Sequence, residues 1–334
     1  MISVIVCTYN RSAPLRVTLD SLRSLHVPPG LVWELVIVDN NSSDDTEQVV
    51  REFQRTAPFD VRYVFESEQG HSHARNRGVQ ESKGQVLAFT DDDVTVDARW
   101  LHELRQAYDR FDCLGIGGRI VPLWTCSKPA WFQESGPYAL MKVIVSFDHG
   151  DQAFLLNTPP FGANMSFRRE AFVRYGLFRT DLGRIGTRLR GAEDTEFGTR
   201  LLRNNERLIY SPGVIVYHPV ERERVTPSYF QRWYFQYGRA SARTGRTPAV
   251  RGRVRQQTRL LRSLVANLVK WATARDQRRR FYYRLYVCET LGRIREACAF
   301  TRNPDSVIPR LSNAMPASTV ETGGLKFGAR RAPR

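Results

Sequence analysis

The chain of 334 residues lacks any apolar run long enough to cross a membrane as a helix. Such a helix needs about 20 consecutive apolar residues, and Arg262 and Lys270 interrupt the most apolar stretch, residues 260–271. Met1 leads directly into an apolar strand pattern, without the basic segment that begins a secretory signal peptide. We therefore expect a protein without transmembrane helices and without a signal peptide.

Cysteine is also scarce. The five cysteines are an odd number, are scattered along the chain and show no Cys-x-x-Cys spacing. Disulfide frameworks and zinc sites both use cysteines at recurring spacings. The pattern argues against either feature and favours the reducing cytoplasm as the location of the protein.

A glycine-rich phosphate-binding loop is missing after the first predicted strand, residues 2–7. The loop that follows, residues 8–12 (TYNRS), matches neither GxGxxG nor GxxxxGK[ST], so the Rossmann and P-loop fingerprints are absent. A nucleotide would have to be bound by polar groups at strand ends instead. The candidates are Thr8, Asn10 and Asp39, because a carboxylate can accept a hydrogen bond from a ribose hydroxyl or a base N–H.

The first 120 residues alternate short apolar runs with helical patterns, which predicts repeated β-α units. Such units build an α/β fold, here with a mixed, mainly parallel sheet flanked by helices. Residues 122–160 show poor periodicity and many Pro, Trp and Gly residues, which is typical of a long covering loop or lid. The runs that predict strands are residues 2–7, 34–39, 61–65, 86–90 and 115–121.

The strand at residues 86–90 runs into three aspartates, Asp91, Asp92 and Asp93. Side chains alternate along an extended segment, so Asp91 and Asp93 are predicted on one side and Asp92 on the other. Neighbouring carboxylates oppose each other's ionisation unless a cation compensates, and hard oxygen ligands suit Mg²⁺ or Mn²⁺. A divalent cation site is one interpretation, and an acidic turn or helix cap is the other.

A second acidic pair, Glu193 and Asp194, opens a predicted helix that runs to about residue 202. The helix dipole stabilises acidic side chains at this end, which is sufficient to explain them. Alternatively, one carboxylate is a general base beside a reacting hydroxyl. His218 ends a predicted strand at residues 214–217. A histidine there is more often structural, but opposite an aspartate cluster it becomes a candidate metal ligand.

Seven motifs, in this order and at these approximate spacings, resemble those of a bacterial family 2 glycosyltransferase of the GT-A type. The resemblance covers about residues 1–245, and it is specific because the motifs occur together. They are Val4–Asn10 (VIVCTYN), Val36–Thr46 (VIVDNNSSDDT), Ala74–Gly78 (ARNRG), Thr90–Asp93 (TDDD), Gly162–Asn164 (GAN), Gly191–Asp194 (GAED) and Tyr217–Pro219 (YHP).

The resemblance implies a GT-A sheet that binds a nucleotide-diphosphate sugar and transfers the sugar, with inversion, to a hydroxyl acceptor. Gly162 and Asn164 would lie beside the transferred sugar, and Asp91 would lie toward the ribose or the sugar. The residues expected to bind the donor are Thr8, Tyr9, Asn10, Asp39, Arg75, Asp91, Asp92, Gly162 and Asn164.

The same resemblance implies a divalent cation, Mn²⁺ or Mg²⁺, as cofactor. Asp93 would be its direct ligand, with Asp91 and His218 as further ligands. Asp194 of the Glu193–Asp194 pair would be the general base of the transfer, so both members of the pair are candidate catalytic residues.

Processive members of this family carry QxxRW, whereas here Gln231-Arg232-Trp233 are consecutive. The resemblance therefore implies a non-processive enzyme, with a place in cell-surface polysaccharide or glycolipid synthesis. A nucleotidyltransferase on a related sheet is the alternative enzyme, but it would need the glycine-rich loop that is missing after the first strand.

The C-terminal region is basic: residues 219–300 carry 19 Lys and Arg against 5 Asp and Glu, which is most of the net charge of +16. Residues 246–300 are predicted to form an amphipathic helical extension, and residues 301–334, which lack periodicity, are predicted to be disordered. The apolar side chains expected on one helical face are Leu261, Leu264, Val265, Leu268 and Ala272.

Three interpretations of this extension stay open. Its arginines suit an anionic membrane surface, its apolar face could pack on the front domain, and its mixture of cations and aromatics could bind single-stranded nucleic acid. A lipid-linked acceptor would favour peripheral contact with the inner face of the cell membrane. The non-enzyme alternative is a nucleic-acid-binding protein with a basic arm and a degenerate front domain, which the motifs above disfavour.

Overall fold

The computed structural model describes residues 1–186, 191–244 and 250–302. Within these ranges the strands are β1 Ile2–Thr8, β2 Trp33–Asp39, β3 Asp60–Phe65, β4 Val86–Asp91, β5 Thr95–Val96, β6 Gly115–Trp124, β7 Phe154–Leu155, β8 Asn164–Arg168 and β9 Leu208–Val220. The helices are α1 Ser12–Arg23, α2 Thr46–Thr56, α3 His71–Glu81, α4 Trp100–Arg110, α5 Arg169–Tyr175, α6 Glu193–Arg203, α7 Pro227–Thr244, α8 Val250–Thr273 and α9 Gln277–Arg302.

The strands form one mixed sheet in the order β3-β2-β1-β4-β8-β6-β9-β5, with β7 paired to β9. The longer ladders are parallel: β1 pairs with β2 and β4, β2 with β3, and β6 with β9. β8 lies antiparallel between β4 and β6. The predicted α/β class with a mixed, mainly parallel sheet is confirmed. Every residue of β1 and β2 is buried, which explains their uninterrupted apolar runs.

β1 is the point at which the chain changes direction across the sheet, because it lies between β2 on one side and β4 on the other. Connections that leave a strand in opposite directions open a crevice at its carboxyl end, where α/β proteins bind ligands. In the β1–β4 ladder Cys7 lies opposite Asp91. The fold therefore places the acidic end of β4 at this crevice.

A second hydrophobic cluster joins the segment after β6 to the C-terminal helices. Phe132 and Ile144 of that segment pack in one cluster with Phe230 of α7 and Leu285 of α9. Residues 122–160 have little regular structure, as predicted, but part of the segment is thus fixed by packing against these helices. The predicted boundary between the first domain and the helical extension, at residue 245, falls between α7 and α9. These two helices are in contact.

The contact between α7 and α9 is close because a glycine lies on each side. A Cβ at Gly238 would collide with the carbonyl oxygen of Glu289, and a Cβ at Gly292 would collide with the carbonyl oxygen of Phe235. Only residues without a side chain let two backbones approach this closely. The interface fixes α9 against α7, and α8 then packs on α9.

The apolar face of helix α8 is broad, and only one edge of it is packed. Leu260, Leu264 and Trp271 are half-buried, and Asn267 on the same side reaches Thr290 of α9 at 3.5 Å. The predicted apolar face is therefore divided, because Leu261, Val265, Leu268 and Ala272 are exposed. No helix in the three described ranges is long and apolar enough to span a membrane. The predicted tail 301–334 lies outside the described residues apart from its first two.

Candidate active site

A cavity of about 1090 Å³ lies at the carboxyl ends of β1 and β4. It extends from the strand ends past the turn before β8 to side chains of α7. The sequence-predicted site residues that line it are Thr8, Tyr9, Arg75, Asp91, Asp92, Asp93, Gly162, Glu193, Asp194 and His218.

Asp93 lies at the centre of a charged cluster. Its Oδ2 accepts hydrogen bonds from Arg11 at 2.7 Å and Arg224 at 2.9 Å, and its Oδ1 lies 3.6 Å from Nε2 of His218. Burial works against ionisation of this carboxyl group, but His218, Arg11 and Arg224 outweigh it and hold the pKa of Asp93 below its usual range. Asp93 is therefore a carboxylate at neutral pH.

Asp91, Asp93 and His218 form a possible cation site, because one ligand atom from each lies within 4.8 Å of the others. Two carboxylate oxygens and an imidazole nitrogen fit a divalent cation such as Mn²⁺. The Nδ1 of His218 lies 3.0 Å from the carbonyl oxygen of Pro219. A carbonyl only accepts, so Nδ1 donates to it, and Nε2 is the ring nitrogen that remains on the side of Asp93 and could bind a cation.

Asp92 is buried and separate from the possible cation site, in line with the predicted alternation. The chain bends after β4, however, so that Arg11 contacts both Asp92, at 3.4 Å, and Asp93. Burial is the main reason why the pKa of Asp92 is raised to about 7; the charges of Asp93 and Asp91 add to the effect, and Arg11 opposes it.

Through Arg75, Glu193 connects the Glu193–Asp194 pair to the aspartates at the end of β4. It is buried, and its Oε1 lies 2.8 Å from Arg75 and 3.1 Å from Nδ1 of His71. Burial opposes ionisation, but Arg75 and His71 lower the pKa of Glu193 to about 2. Arg75 in turn lies 3.8 Å from Asp91. This ion-pair network holds α6 and α3 together beside the end of β4.

Asp194, in contrast, makes no ion pair within the described ranges. Its carboxylate accepts hydrogen bonds from the backbone N–H of Gly162 at 2.8 Å and of Thr195 at 2.6 Å. Burial and the charge of Glu193 raise the pKa of Asp194, and Arg75 opposes them. A half-buried carboxylate with a raised pKa that lines a cavity can act as a general base.

The arrangement of Arg75 and Asp194 leaves no room for a side chain at position 162. A Cβ there would collide with the guanidinium group of Arg75 and would lie 2.9 Å from Oδ2 of Asp194. The glycine thus lets the turn before β8 approach both charged groups, as expected for a site where a ligand meets the backbone.

Two predicted nucleoside-binding residues do not line the cavity. The Oδ1 of Asp39 accepts a hydrogen bond from the backbone N–H of Ser42, and its Oδ2 accepts one from the hydroxyl of Tyr63, each at 2.9 Å. The Oδ1 of Asn10 accepts from the backbone N–H of Ser43 at 2.7 Å. Both side chains connect neighbouring loops. Asn40 lines the cavity where Asp39 was expected to do so.

The structure corrects the role that was predicted for Asn164. Its side chain is buried, accepts a hydrogen bond from Nε1 of Trp100 at 3.0 Å, and donates to the carbonyl oxygens of Val214 at 2.8 Å and Arg119 at 2.9 Å. These three bonds tie β8 to β6, β9 and α4. Because the amide is used within the fold and does not line the cavity, it is not available to the transferred sugar.

Sequence reasoning gave no role to Arg11, Arg224 and His71, although all three line the cavity. Arg11 was visible in the loop after β1, and Arg224 lies six residues after His218. A cation close in sequence to a predicted site residue is the signal that could have placed these two arginines near the site, although it does not reveal their pairing with Asp93.

Comparison with known proteins identifies the class to which this fold and site belong. Residues 3–176, about half of the chain, match the family described as Glycosyl transferase family 2. The chain belongs to this family and is a glycosyltransferase, and the resemblance inferred from the seven motifs is confirmed.

Two relatives align over most of their own length. Glucosyl-dolichyl phosphate glucuronosyltransferase of Haloferax volcanii is 29% identical over 222 residues, which cover 65% of this chain and 68% of the relative. Succinoglycan biosynthesis protein ExoM of Rhizobium meliloti is 27% identical over 243 residues, which cover 72% of this chain and 74% of the relative.

Among solved structures, the mannosyltransferase PcManGT from Pyrobaculum calidifontis, in complex with GDP-Man and Mn²⁺, matches with a TM-score of 0.58 and 20% identity. The match covers 91% of this chain and 87% of that one. At this identity the similarity establishes the fold. The expected GT-A type sheet with a helical C-terminal extension is confirmed.

Proposed function

We propose that this glycosyltransferase uses a divalent cation and transfers a sugar, with inversion, from a nucleotide-diphosphate sugar to a hydroxyl acceptor. One observation carries the proposal. A single cavity holds both a possible cation site, formed by Asp91, Asp93 and His218, and a separate half-buried carboxylate with a raised pKa, Asp194. These are the two groups that the reaction needs, one for the leaving diphosphate and one for the attacking hydroxyl.

The donor would occupy the β1–β4 end of the cavity. Thr8, Tyr9 and Asp92 line this end. Arg11 and Arg224 line it too, and the guanidinium N–H groups that do not donate to Asp93 can bind phosphate oxygens. Asp91, Asp93 and His218 would hold Mn²⁺ or Mg²⁺. A cation there would act as a Lewis acid that offsets the charge growing on the leaving diphosphate.

Asp194 is assigned as the general base. The acceptor oxygen attacks the anomeric carbon, the bond from that carbon to the diphosphate breaks, and the acceptor proton passes to the Asp194 carboxylate. The N–H groups of Gly162 and Thr195 orient this carboxylate. Glu193 is assigned a positioning role, because its oxygen holds Arg75 and His71.

The names of the two relatives support an acceptor in polysaccharide or glycolipid synthesis. One is named for glucosyl-dolichyl phosphate and the other for succinoglycan biosynthesis. We propose the same class of acceptor here, with a lipid-linked acceptor as one member of that class.

A nucleotide-sugar screen tests the proposed function. Thermal denaturation of the chain would be followed with UDP- and GDP-linked sugars, each with Mn²⁺, with Mg²⁺ and with EDTA. We expect stabilisation by at least one nucleotide sugar that requires the cation. Salt-dependent binding of oligonucleotides without any response to nucleotide sugars would instead favour the nucleic-acid alternative.

The pH profile of transfer tests the base assignment. Asp194 must be deprotonated to accept a proton. Its pKa is raised above the ordinary aspartate value of about 3.9. On the acidic limb of the profile, kcat/KM should therefore fall with unit slope, centred at a pH above that value. Asp194→Glu should move this acidic limb because it changes the base. An acidic limb that stays in place would assign the titration to another group.

We also propose that the exposed side of α8 lies on an anionic membrane surface, at the inner face of the cell membrane. Leu261, Val265 and Val269 are 56%, 59% and 55% exposed and form one stripe at helical spacing. Helix α8 contains no Asp or Glu, and Arg255 and Arg262 beside the stripe are exposed. Each such cation contributes about 1 kcal/mol at an anionic surface.

The charge of α8 also argues against the other occupants of the stripe. Pairing two copies through this face would bring together two basic helices that have no acidic residues, so their positive charges would repel. Single-stranded nucleic acid would need exposed rings for base stacking, whereas the exposed stripe is aliphatic.

Sedimentation with vesicles tests this surface. We expect the chain to bind vesicles that contain phosphatidylglycerol, and to bind pure phosphatidylcholine vesicles weakly. The double variant Leu261→Ser/Val265→Ser should lose about tenfold in binding, because two inserted apolar side chains become polar. Leu291→Ser, at an exposed position on α9 outside the stripe, is the matched control. Equal binding by the double variant and the native chain would refute the proposal.

A further inference from the structure

The cavity continues beyond the donor end to a lysine surrounded by aromatic rings. Lys142 lies in a short 3₁₀ helix, Met141–Ile144, and lines the cavity together with Trp233 and Tyr237 of α7. Its Nζ lies 4.3 Å from the ring centre of Tyr237, 5.0 Å from that of Tyr234 and 5.7 Å from that of Trp233.

Lys142 has no anionic partner within the described ranges. No carboxylate lies within 4.0 Å of its Nζ, and this nitrogen donates no hydrogen bond there. Lys128, which lines the same cavity, is paired with Glu134 at 2.7 Å. Glu289, whose charge acts on Lys142, is itself paired with Arg293 at 2.7 Å.

A partly buried ammonium group without an anion is costly. Aromatic faces attract the ammonium group through cation–π interaction, but they supply no oxygen acceptor. Burial accordingly lowers the pKa of Lys142. Because Lys142 lines the cavity and makes no ion pair within the described ranges, an anion that enters the cavity could pair with its ammonium group.

The rings beside Lys142 provide a second element of recognition. Trp233 and Tyr237 are one helical turn apart, and their rings stack with centres 5.1 Å apart and planes within 8°. Both line the cavity, so the pair presents apolar ring surface next to a cation. Binding sites commonly combine such apolar walls with a few polar groups that fix the orientation of the ligand.

We infer that this end of the cavity is an acceptor subsite for an anionic group, a phosphate or a carboxylate, carried beside a sugar or a lipid chain. The inference rests on the proposed function and names the class of acceptor. At the donor end, the cation that Asp91, Asp93 and His218 would hold meets the charge of the diphosphate. Lys142 is therefore available to the second substrate, with Trp233 and Tyr237 against its apolar part.

Two matched pairs of probes test the inference and separate the two sources of the anion. Phenyl glucuronide is compared with phenyl glucoside, and geranyl phosphate with geraniol, by ligand-observed NMR titration of the full chain. We expect the native chain to bind at least one anionic probe about tenfold more tightly than its neutral counterpart. A preference for the glucuronide identifies a carboxylate, and a preference for geranyl phosphate identifies a phosphate.

Variants assign the preference to one residue. Lys142→Met keeps an unbranched chain and removes the charge, so the preference for the anionic probe should disappear. Lys142→Arg should retain it. Lys128→Met removes a charge that is already paired and should leave the preference unchanged. Binding of nucleoside diphosphate, measured in parallel, should be the same in all of these variants.

Two results would overturn the inference: equal binding of the anionic and neutral probes by the native chain, or an unchanged preference in Lys142→Met. If nucleoside diphosphate still binds in a cation-dependent manner, the proposed function survives that failure. If the native chain does not bind nucleoside diphosphate at all, that result would instead contradict the proposed function itself.

Discussion

Asp194→Asn is expected to lower the rate of sugar transfer by about 10²–10⁴-fold, the range that general base catalysis contributes. The asparagine has the same shape, and its side-chain oxygen can still accept a hydrogen bond from the N–H of Gly162. It cannot accept the proton of the acceptor. Donor affinity should change little, because the charge of the diphosphate would be met by the cation that Asp91, Asp93 and His218 hold. Single-turnover rates and calorimetric nucleotide binding measure the two quantities separately.

Glu196→Gln is the matched control for this variant. Glu196 lies in the same first turn of α6, and its side chain pairs with Arg200 rather than lining the cavity. Both variants remove one negative charge from a helix N-terminus, so an effect on the helix dipole would be similar in both. We expect Glu196→Gln to leave transfer nearly unchanged. Full activity in Asp194→Asn would remove the base assignment.

Asp93→Ala is expected to abolish cation-dependent binding of a nucleoside diphosphate. Asp93 offers one ligand atom to the possible cation site and neutralises Arg11 and Arg224. Without it the possible cation site loses a carboxylate, whereas Arg11 keeps its contact with Asp92. Any binding that remains should not depend on the cation, and should therefore be equal with Mn²⁺ and with EDTA. Calorimetry under the two conditions measures this.

Asp93→Ala also needs a control for the loss of one negative charge. Asp112→Ala removes one exposed acidic side chain outside the cavity and should leave cation-dependent binding intact. Retention of the Mn²⁺ requirement in Asp93→Ala would show that Asp93 is not a ligand. Its pairing with Arg11 and Arg224 would then be a purely structural ion pair.

The main features of the sheet could be predicted because strands buried on both faces leave continuous apolar runs in the sequence. The same local pattern placed Asp91 and Asp93 at a strand end and separated them from Asp92. Partners from distant segments could not be predicted in this way. Arg11 and Arg224 reach Asp93 across 82 and 131 residues of sequence, and no local periodicity encodes such pairings.

Asp39 and Asn164 illustrate a different limit. Both are polar residues at strand ends, where ligand-binding side chains occur, but Asp39 bonds Tyr63 and Asn164 bonds Trp100. Sequence position identifies the edge of the sheet and does not reveal which hydrogen-bond partner is closest. Likewise, the apolar residues of α8 were predicted on one face, although Leu264 is half-buried and Leu261 is exposed.

The most direct test of the central claim is electron–nuclear double resonance of Mn²⁺ bound to the chain in the presence of a nucleoside diphosphate. The claim is that Asp91, Asp93 and His218 hold a cation that also contacts the donor diphosphate. We predict hyperfine coupling to ³¹P from the nucleotide and to ¹⁴N from an imidazole, with the ¹⁴N signal lost in His218→Ala. A spectrum of Mn²⁺ without ³¹P coupling to the bound nucleotide would contradict the claim.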